Sequence, residues 1–160
     1  MPSLQHEHVY RVATTWTGNR GAGTRDYRAY GRDSEIVGVG KTSSIGLSAD
    51  ASFRGDACRY NPEELLVGAL SSCHMLWYLH LCADAGIVVT AYRDDAAGRM
   101  VTYDDGSGEF AEVVLNPRAT IADASRVADA LAVHERAHHM CFIARSMKFP
   151  VRLEAAVAAE

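Results

Sequence analysis

The chain has 160 residues and a formal net charge of −4, from 16 Lys and Arg against 20 Asp and Glu. That length suits one domain with a core of its own, and the scattered charges, with no basic block, argue against nucleic acid as the main partner. Four cysteines behind an N-terminus (MPSLQHEHVYR) that lacks an apolar export segment point to reduced thiols or a redox pair in the cytoplasm, not to a disulfide scaffold.

Residues 9–17 (VYRVATTWT) are rich in β-branched and aromatic side chains and predict a strand. A glycine-rich turn at 18–23 follows. Residues 24–30 and 35–39 predict two more short strands, split by Gly31-Arg32-Asp33-Ser34, and the three make an antiparallel meander. Residues 41–60 have no clear period and read as a long loop, of the kind that is functional or loosely ordered. The first residues, 1–7, and the last few are expected to fray.

The organising stretch is 61–86, NPEELLVGALSSCHMLWYLHLCADAG. Asn61 suits an N-cap, Pro62 the first helical position, and Glu64 a capping box, with both glutamates at the positive end of the helix dipole. Gly86 supplies the stop. Residues 65–83 carry no Lys, Arg, Asp or Glu, and apolar side chains occur all round, so the helix should be buried on most sides. Its length also fits a membrane span. Ser71, Ser72, His74 and His80 within it, and the lack of flanking Lys/Arg clusters, favour a buried core helix. A chain this short has limited surface with which to cover such a helix, which implies a second subunit.

Beyond it, residues 87–93, 98–103 and 110–121 predict strands, with Asp104-Asp105-Gly106-Ser107-Gly108 as a hairpin loop. Asp123 or Ser125 caps a second helix to about Met140, with Val127, Ala130, Leu131 and His134 on one stripe. A short irregular or helical piece follows Cys141, and Pro150 admits a last strand at 151–157. The order βββ-α-βββ-α-β argues an α+β domain, with antiparallel strands around a long buried central helix. No glycine-rich phosphate loop follows a strand, so a nucleotide fold lacks support.

The chemistry lies in the cysteines. Cys73 sits mid-helix. Cys82, nine residues on, points to the opposite side at 3.6 residues per turn, so the two are not partners on one helix. Cys82 and Cys58 read as passive thiols. Cys141 follows His138-His139-Met140 and precedes Phe142-Ile143, an apolar pocket wall. His74, His138 and His139 raise a metal site, but Cys-x-x-Cys and His-x3-His spacings are missing, and no metal is expected. A reactive Cys73 needs a cation to favour its thiolate. Arg54 is the first candidate and Arg20 the alternative, with Glu63 able to hold such an arginine by a charge-assisted pair. Glu63 lies ten residues before Cys73, about 15 Å along one helix, so a compact site needs a bridging arginine or a second subunit.

The run Asn61-Pro62-Glu63-Glu64-Leu65-Leu66, followed by Ala69-Leu70-Ser71-Ser72-Cys73-His74-Met75, resembles the signature of the osmotically inducible protein C / organic hydroperoxide resistance (OsmC/Ohr) family. Cys141-Phe142-Ile143-Ala144-Arg145-Ser146 before a closing strand is similar too. The resemblance spans about residues 8–158, is nearer the OsmC-like branch, and treats the whole chain, 1–160, as one domain. One departure is Phe142, where the family often has Pro.

The resemblance implies a thiol peroxidase that reduces alkyl or fatty-acid hydroperoxides to alcohols in oxidative-stress defence. It makes Cys73 peroxidatic and Cys141 resolving through an intramolecular disulfide, and assigns Glu63 and Arg54 to the site, with Arg20 as the Ohr-group alternative. It further implies an intertwined homodimer, a dithiol or lipoylated protein as reductant, and no metal, flavin or haem. A protein that binds an apolar small molecule on the same fold, with passive thiols, is the competing reading.

Overall fold

In the computed structural model the described residues are 6–160, so the first five residues, and with them most of the expected N-terminal fraying, lie outside. The chain divides into a unit ending at Pro62 and a unit spanning Glu63–Glu160.

In the N-terminal unit, β1 (Val12–Trp16), β2 (Ser34–Gly38) and β3 (Ile45–Leu47) form an antiparallel sheet in that order. The expected meander is present with a different membership. Residues 24–30 form turns and bends, and the third strand comes from the segment read as a loop. The cause is local. The Arg32 guanidinium lies 4.2 Å from the centre of the Tyr27 ring and 4.1 Å from that of Tyr30. It also donates to the carbonyl oxygens of the same two residues, at 2.7 and 2.6 Å. Carbonyls that a strand would offer its neighbour are thus taken by one side chain. The Trp16 indole donates to the Gly31 carbonyl at 2.9 Å. Gly18 passes so close that a Cβ there would stand 2.0 Å from the Gly31 oxygen.

In the C-terminal unit, α1 (Pro62–Asp84) stops as its sequence implies. Gly86 takes φ +68, and the Gly86 and Ile87 amides donate to Ala83 and Cys82 at 3.0 and 2.8 Å, closing a Schellman motif. By length and composition α1 could cross a membrane, yet it lays Leu70, His74, Tyr78, Leu81 and Cys82 into the interior of the unit. Burial follows that stripe and does not surround the helix: Ser72, Leu76 and His80 are exposed.

The chain continues through β4 (Val89–Asp94), β5 (Ala97–Thr102), β6 (Gly108–Leu115), β7 (Pro117–Ile121), α2 (Val127–Met140), α3 (Phe142–Arg145), β8 (Val151–Leu153) and β9 (Ala156–Ala159). Asp123 caps the 3-10 turn that leads into α2 by accepting the Ser125 amide at 2.9 Å. Two three-stranded sheets result, β4-β7-β9 and β5-β6-β8. β4/β7 and β5/β6 pair antiparallel, whereas β8 and β9 run parallel to β6 and β7, so the sheets are mixed.

Two expected strands are each split. Residues 110–121 break at Asn116-Pro117, where proline has no N–H for a ladder and the Asn116 amide turns to Asp94 Oδ1 at 2.7 Å. Residues 151–157 break at Glu154-Ala155 for a linked reason: β8 and β9 run beside β6 and β7 and must change sheet at the same level. The Glu154 amide donates to Leu115, and Arg118 donates to the Glu154 carbonyl, both at 2.8 Å.

This change of sheet positions the site. Leu70, in the first half of α1, packs with Val113 and Leu115, with Val67, Phe110, Ile143, Phe149 and Val151 around them. The second half, with Tyr78, Leu81 and Cys82, packs on Ala119, Ile121 and the Ala130 and Ala137 face of α2. The middle of the helix therefore lies over the break. There Ser71 donates to Asp94 Oδ2 at 2.6 Å, tying α1 to the carboxylate that also holds Asn116.

Candidate active site

Cys73 lies at this midpoint, half-buried, and its thiol is free. Cys141 caps the end of α2 and is fully buried. Its sulfur accepts the Ala144 amide at 3.5 Å, which starts α3. The structure brings the two thiols near each other, close enough for Cys73 to perturb the Cys141 thiol. Burial pushes the Cys141 thiol up to about 11; the Ala144 amide opposes the rise, the Cys73 thiol adds to it, and the Ile143 amide opposes it.

Beside Cys73 is an open hollow of about 280 Å³, lined by Cys73, Leu76, Trp77, His80 and Phe142. Trp77 meets Phe142 edge-on at 5.4 Å and 88°, and His80 at 5.7 Å and 71°. His80 Nε2 is 3.5 Å from Asp84 at the rim. The lining is nearly all hydrocarbon and aromatic face, which suits an organic group and offers little to a small, strongly hydrated molecule. Phe142 is the apolar wall its sequence position implies. Ile143 is not: it packs into the core beside Leu70.

The remaining site candidates are distributed as follows. Glu63 is half-buried in the first turn of α1. Arg54 and Arg20 belong to the N-terminal unit. Arg54 is exposed and closes a 3-10 turn at Ala51–Phe53 in the left-handed region, φ 66. Arg20 is exposed, with its guanidinium near Gly31. Arg59, which sequence reasoning passed over, lies near carboxylates in that unit, at 3.8 Å from both Asp33 and Asp56. Cys58 is exposed. Cys82 is buried on the far side of α1 from Cys73, and burial pushes its thiol up, with the nearby Tyr78 hydroxyl opposing the rise. Among the described residues, no group of three or more His, Cys, Asp and Glu side chains is arranged to hold a metal ion.

Sequence reasoning also missed a buried imidazole pair. His74 Nε2 and His134 Nδ1 are 3.0 Å apart, with ring planes parallel within 3°. Tyr78 stacks on His134 at 3.8 Å, and His138 lies 6.3 Å from His74. Burial pulls His74 down to about 4, with His138 adding to the fall and Asp94 opposing it. Burial likewise pulls His134 to about 3, helped by His74. Both rings are neutral at pH 7, so one donates and the other accepts. The available signal was the placement of His74 and Tyr78 at i and i+4 on the apolar stripe of α1, facing the stripe of α2 that carries His134.

A long core helix over two mixed sheets, with paired thiols at its middle, defines an α+β thiol protein. The chain belongs to the OsmC-like protein family, whose model matches residues 54–156. An OsmC-like protein of unknown function from Vibrio cholerae shares 29% identity, with 93% of this chain and 99% of that one covered and a TM-score of 0.83. An organic hydroperoxide resistance protein from Elizabethkingia anophelis has the same fold at 14% identity, with a TM-score of 0.68 and coverage of 98% and 100%. A second such protein, from Legionella pneumophila, shares 13% identity, with a TM-score of 0.68 and coverage of 96% and 99%. No curated protein sequence matches the chain.

Proposed function

We propose that the protein is a thiol-dependent peroxidase for organic hydroperoxides. The observation that carries the reading is half-exposed Cys73 near buried Cys141, beside an apolar hollow that opens on Cys73. The Cys73 thiolate attacks the distal oxygen of ROOH; the O–O bond breaks, ROH leaves after taking up a proton, and Cys73 becomes a sulfenic acid. The Cys141 sulfur then attacks the Cys73 sulfur and water leaves, which forms a disulfide and stops further oxidation. A dithiol, free or lipoyl-bound, returns both cysteines to thiols by exchange.

Arg54, or Arg20 in its place, supplies the cation that favours thiolate, and Glu63 orients it. The working form is a cytoplasmic homodimer, in keeping with a helix that carries no charge over residues 65–83 and whose Leu76 is 62% exposed. The test is turnover with cumene hydroperoxide and with hydrogen peroxide, using several dithiols as donors. Faster consumption of the organic peroxide, with two thiols lost per equivalent, supports the reading. Unchanged thiols after one equivalent of peroxide leave the apolar-ligand binder instead.

A further inference from the structure

Cys73 lies in α1 and Cys141 at the junction of α2 and α3, and α1 packs on α2 through the side chains of a shared core. The spacing of the two sulfurs therefore depends on what ties the helices together near them. Apolar contacts alone tolerate sliding, because dispersion and burial are non-directional. A hydrogen bond fixes distance and angle.

One such bond lies beside the thiols. His74 directly follows Cys73, and its Nε2 meets Nδ1 of His134 at 3.0 Å inside the protein. One turn after His134, the His138 carbonyl accepts the Cys141 amide at 3.3 Å. A continuous path thus runs from Cys73 through His74, His134 and His138 to Cys141. Tyr78 stacks on His134 at 3.8 Å and fixes its ring plane. Burying two imidazoles where leucine would pack as well carries a desolvation penalty, and their other ring nitrogens, His74 Nδ1 and His134 Nε2, have no protein partner. Such a pair contributes direction more than stability.

We propose that His74 and His134 are positioning residues for the Cys73–Cys141 couple: their hydrogen bond sets the spacing of the two thiols and so governs how readily the disulfide forms. The inference rests on the reading of these cysteines as a redox pair. Its step is balanced with glutathione: the Cys73–Cys141 S–S bond forms as two S–H bonds break. Two electrons and two protons pass to glutathione disulfide, which becomes two glutathione thiols.

The experiment is equilibration of the full chain in glutathione redox buffers, which gives the effective concentration of one thiol for the other. Three proteins are compared: wild type, His134→Phe, which keeps the stack on Tyr78 and loses the bond, and His134→Asn, whose amide stands where Nδ1 does. The constant should fall at least about fivefold in His134→Phe and stay within about twofold of wild type in His134→Asn. Alkylation of Cys73 by iodoacetamide should be the same in all three. An unchanged constant in His134→Phe overturns the proposal, as does an equal fall in both variants, which marks plain packing. A parallel fall in Cys73 alkylation also overturns it, since the effect then belongs to Cys73 alone. If His134→Phe does not fold, His74→Met against His74→Gln makes the same comparison from α1. No peroxide enters this measurement. A wild type that forms the disulfide in glutathione but consumes no hydroperoxide refutes the peroxidase and leaves the positioning role intact. A wild type that forms no disulfide refutes the redox pair, and this inference with it.

Discussion

Resolution of oxidised Cys73 should be the strongly pH-dependent half of the cycle. Cys141 is fully buried, and burial pushes its thiol up to about 11. At pH 7 only a small fraction of molecules then carries the thiolate, the attacking form. The group is protonated throughout the neutral range, so each unit of added pH multiplies its thiolate about tenfold until the pH nears its pKa. The higher intrinsic nucleophilicity of a high-pKa thiol raises the whole curve and leaves its slope unchanged. The first-order rate of disulfide formation should therefore climb about tenfold per unit between pH 6 and 8.5. Trp77 lines the hollow with Cys73 and meets Phe142, the neighbour of Cys141, so its fluorescence is a natural reporter. The assay is a stopped-flow single turnover with one equivalent of cumene hydroperoxide, followed by quenching and mass analysis. Cys141→Ser should keep the first phase, lose the second, and gain two or three oxygens on Cys73 under excess peroxide. A flat profile, or a rise that levels off below pH 8, would refute the argument that buried Cys141 is the attacking group.

Other expectations can be checked in parallel. Cys73→Ser should abolish peroxide consumption, while Cys58→Ser and Cys82→Ser should retain it; turnover by Cys73→Ser at the wild-type rate ends the assignment. Arg54→Met should slow oxidation of Cys73 at neutral pH by at least about tenfold, roughly one charge interaction's worth, and Glu63→Gln should act the same way more weakly. If only Arg20→Met is slow, the cation comes from the first turn of the chain. Folding stability should fall in acid for a reason unrelated to the thiols. His74 titrates at about 4 when folded against 6.5 ordinarily, so between those values the unfolded chain binds a proton that the native state does not. Stability is then fully present above about pH 6.5 and drops by about 3 kcal/mol from His74 alone as the pH falls to about 4. The depressed carboxylates of Asp50, Asp95, Asp105 and Asp123 titrate below this window. A urea midpoint equal at pH 7 and pH 4.5 would contradict the burial of the pair.

Features set by short-range physics were legible in the sequence. The glycine stop at Gly86, the Asp123 cap and the strand-rich segments on either side of α1 depend on neighbours a few residues away. The errors occurred where a distant partner decides. Residues 24–30 have strand-like composition, but Arg32 binds the Tyr27 and Tyr30 carbonyls and folds the segment back. The split at Asn116-Pro117 carried a local warning in its proline. The matching split at Glu154-Ala155 carried none, because it exists only to keep β9 beside β7 once β6 has ended. Parallel pairing of β8 and β9 is likewise a property of the assembled sheet.

The site divides along the same line. Periodicity placed Cys82 away from Cys73, and the Schellman stop ended the helix that carries Cys73, while Asp123 capped the 3-10 turn that leads into α2. The proximity of Cys73 and Cys141 is a tertiary fact that no spacing encodes. It also gives the two cysteines unequal exposure, which fits the proposed chemistry. A first thiol must meet a hydroperoxide, and Cys73 borders the hollow. A second thiol should stay out of reach of the same oxidant and act only on an adjacent sulfenic acid. Full burial keeps Cys141 from diffusing substrate, and a thiol held near 11 is a slow target even when reached. Its weakness as a general nucleophile is offset by proximity, since reaction between two held groups proceeds as if at very high concentration. That requirement places the demand for accuracy on the link between the helices, which is where the buried His74–His134 bond lies.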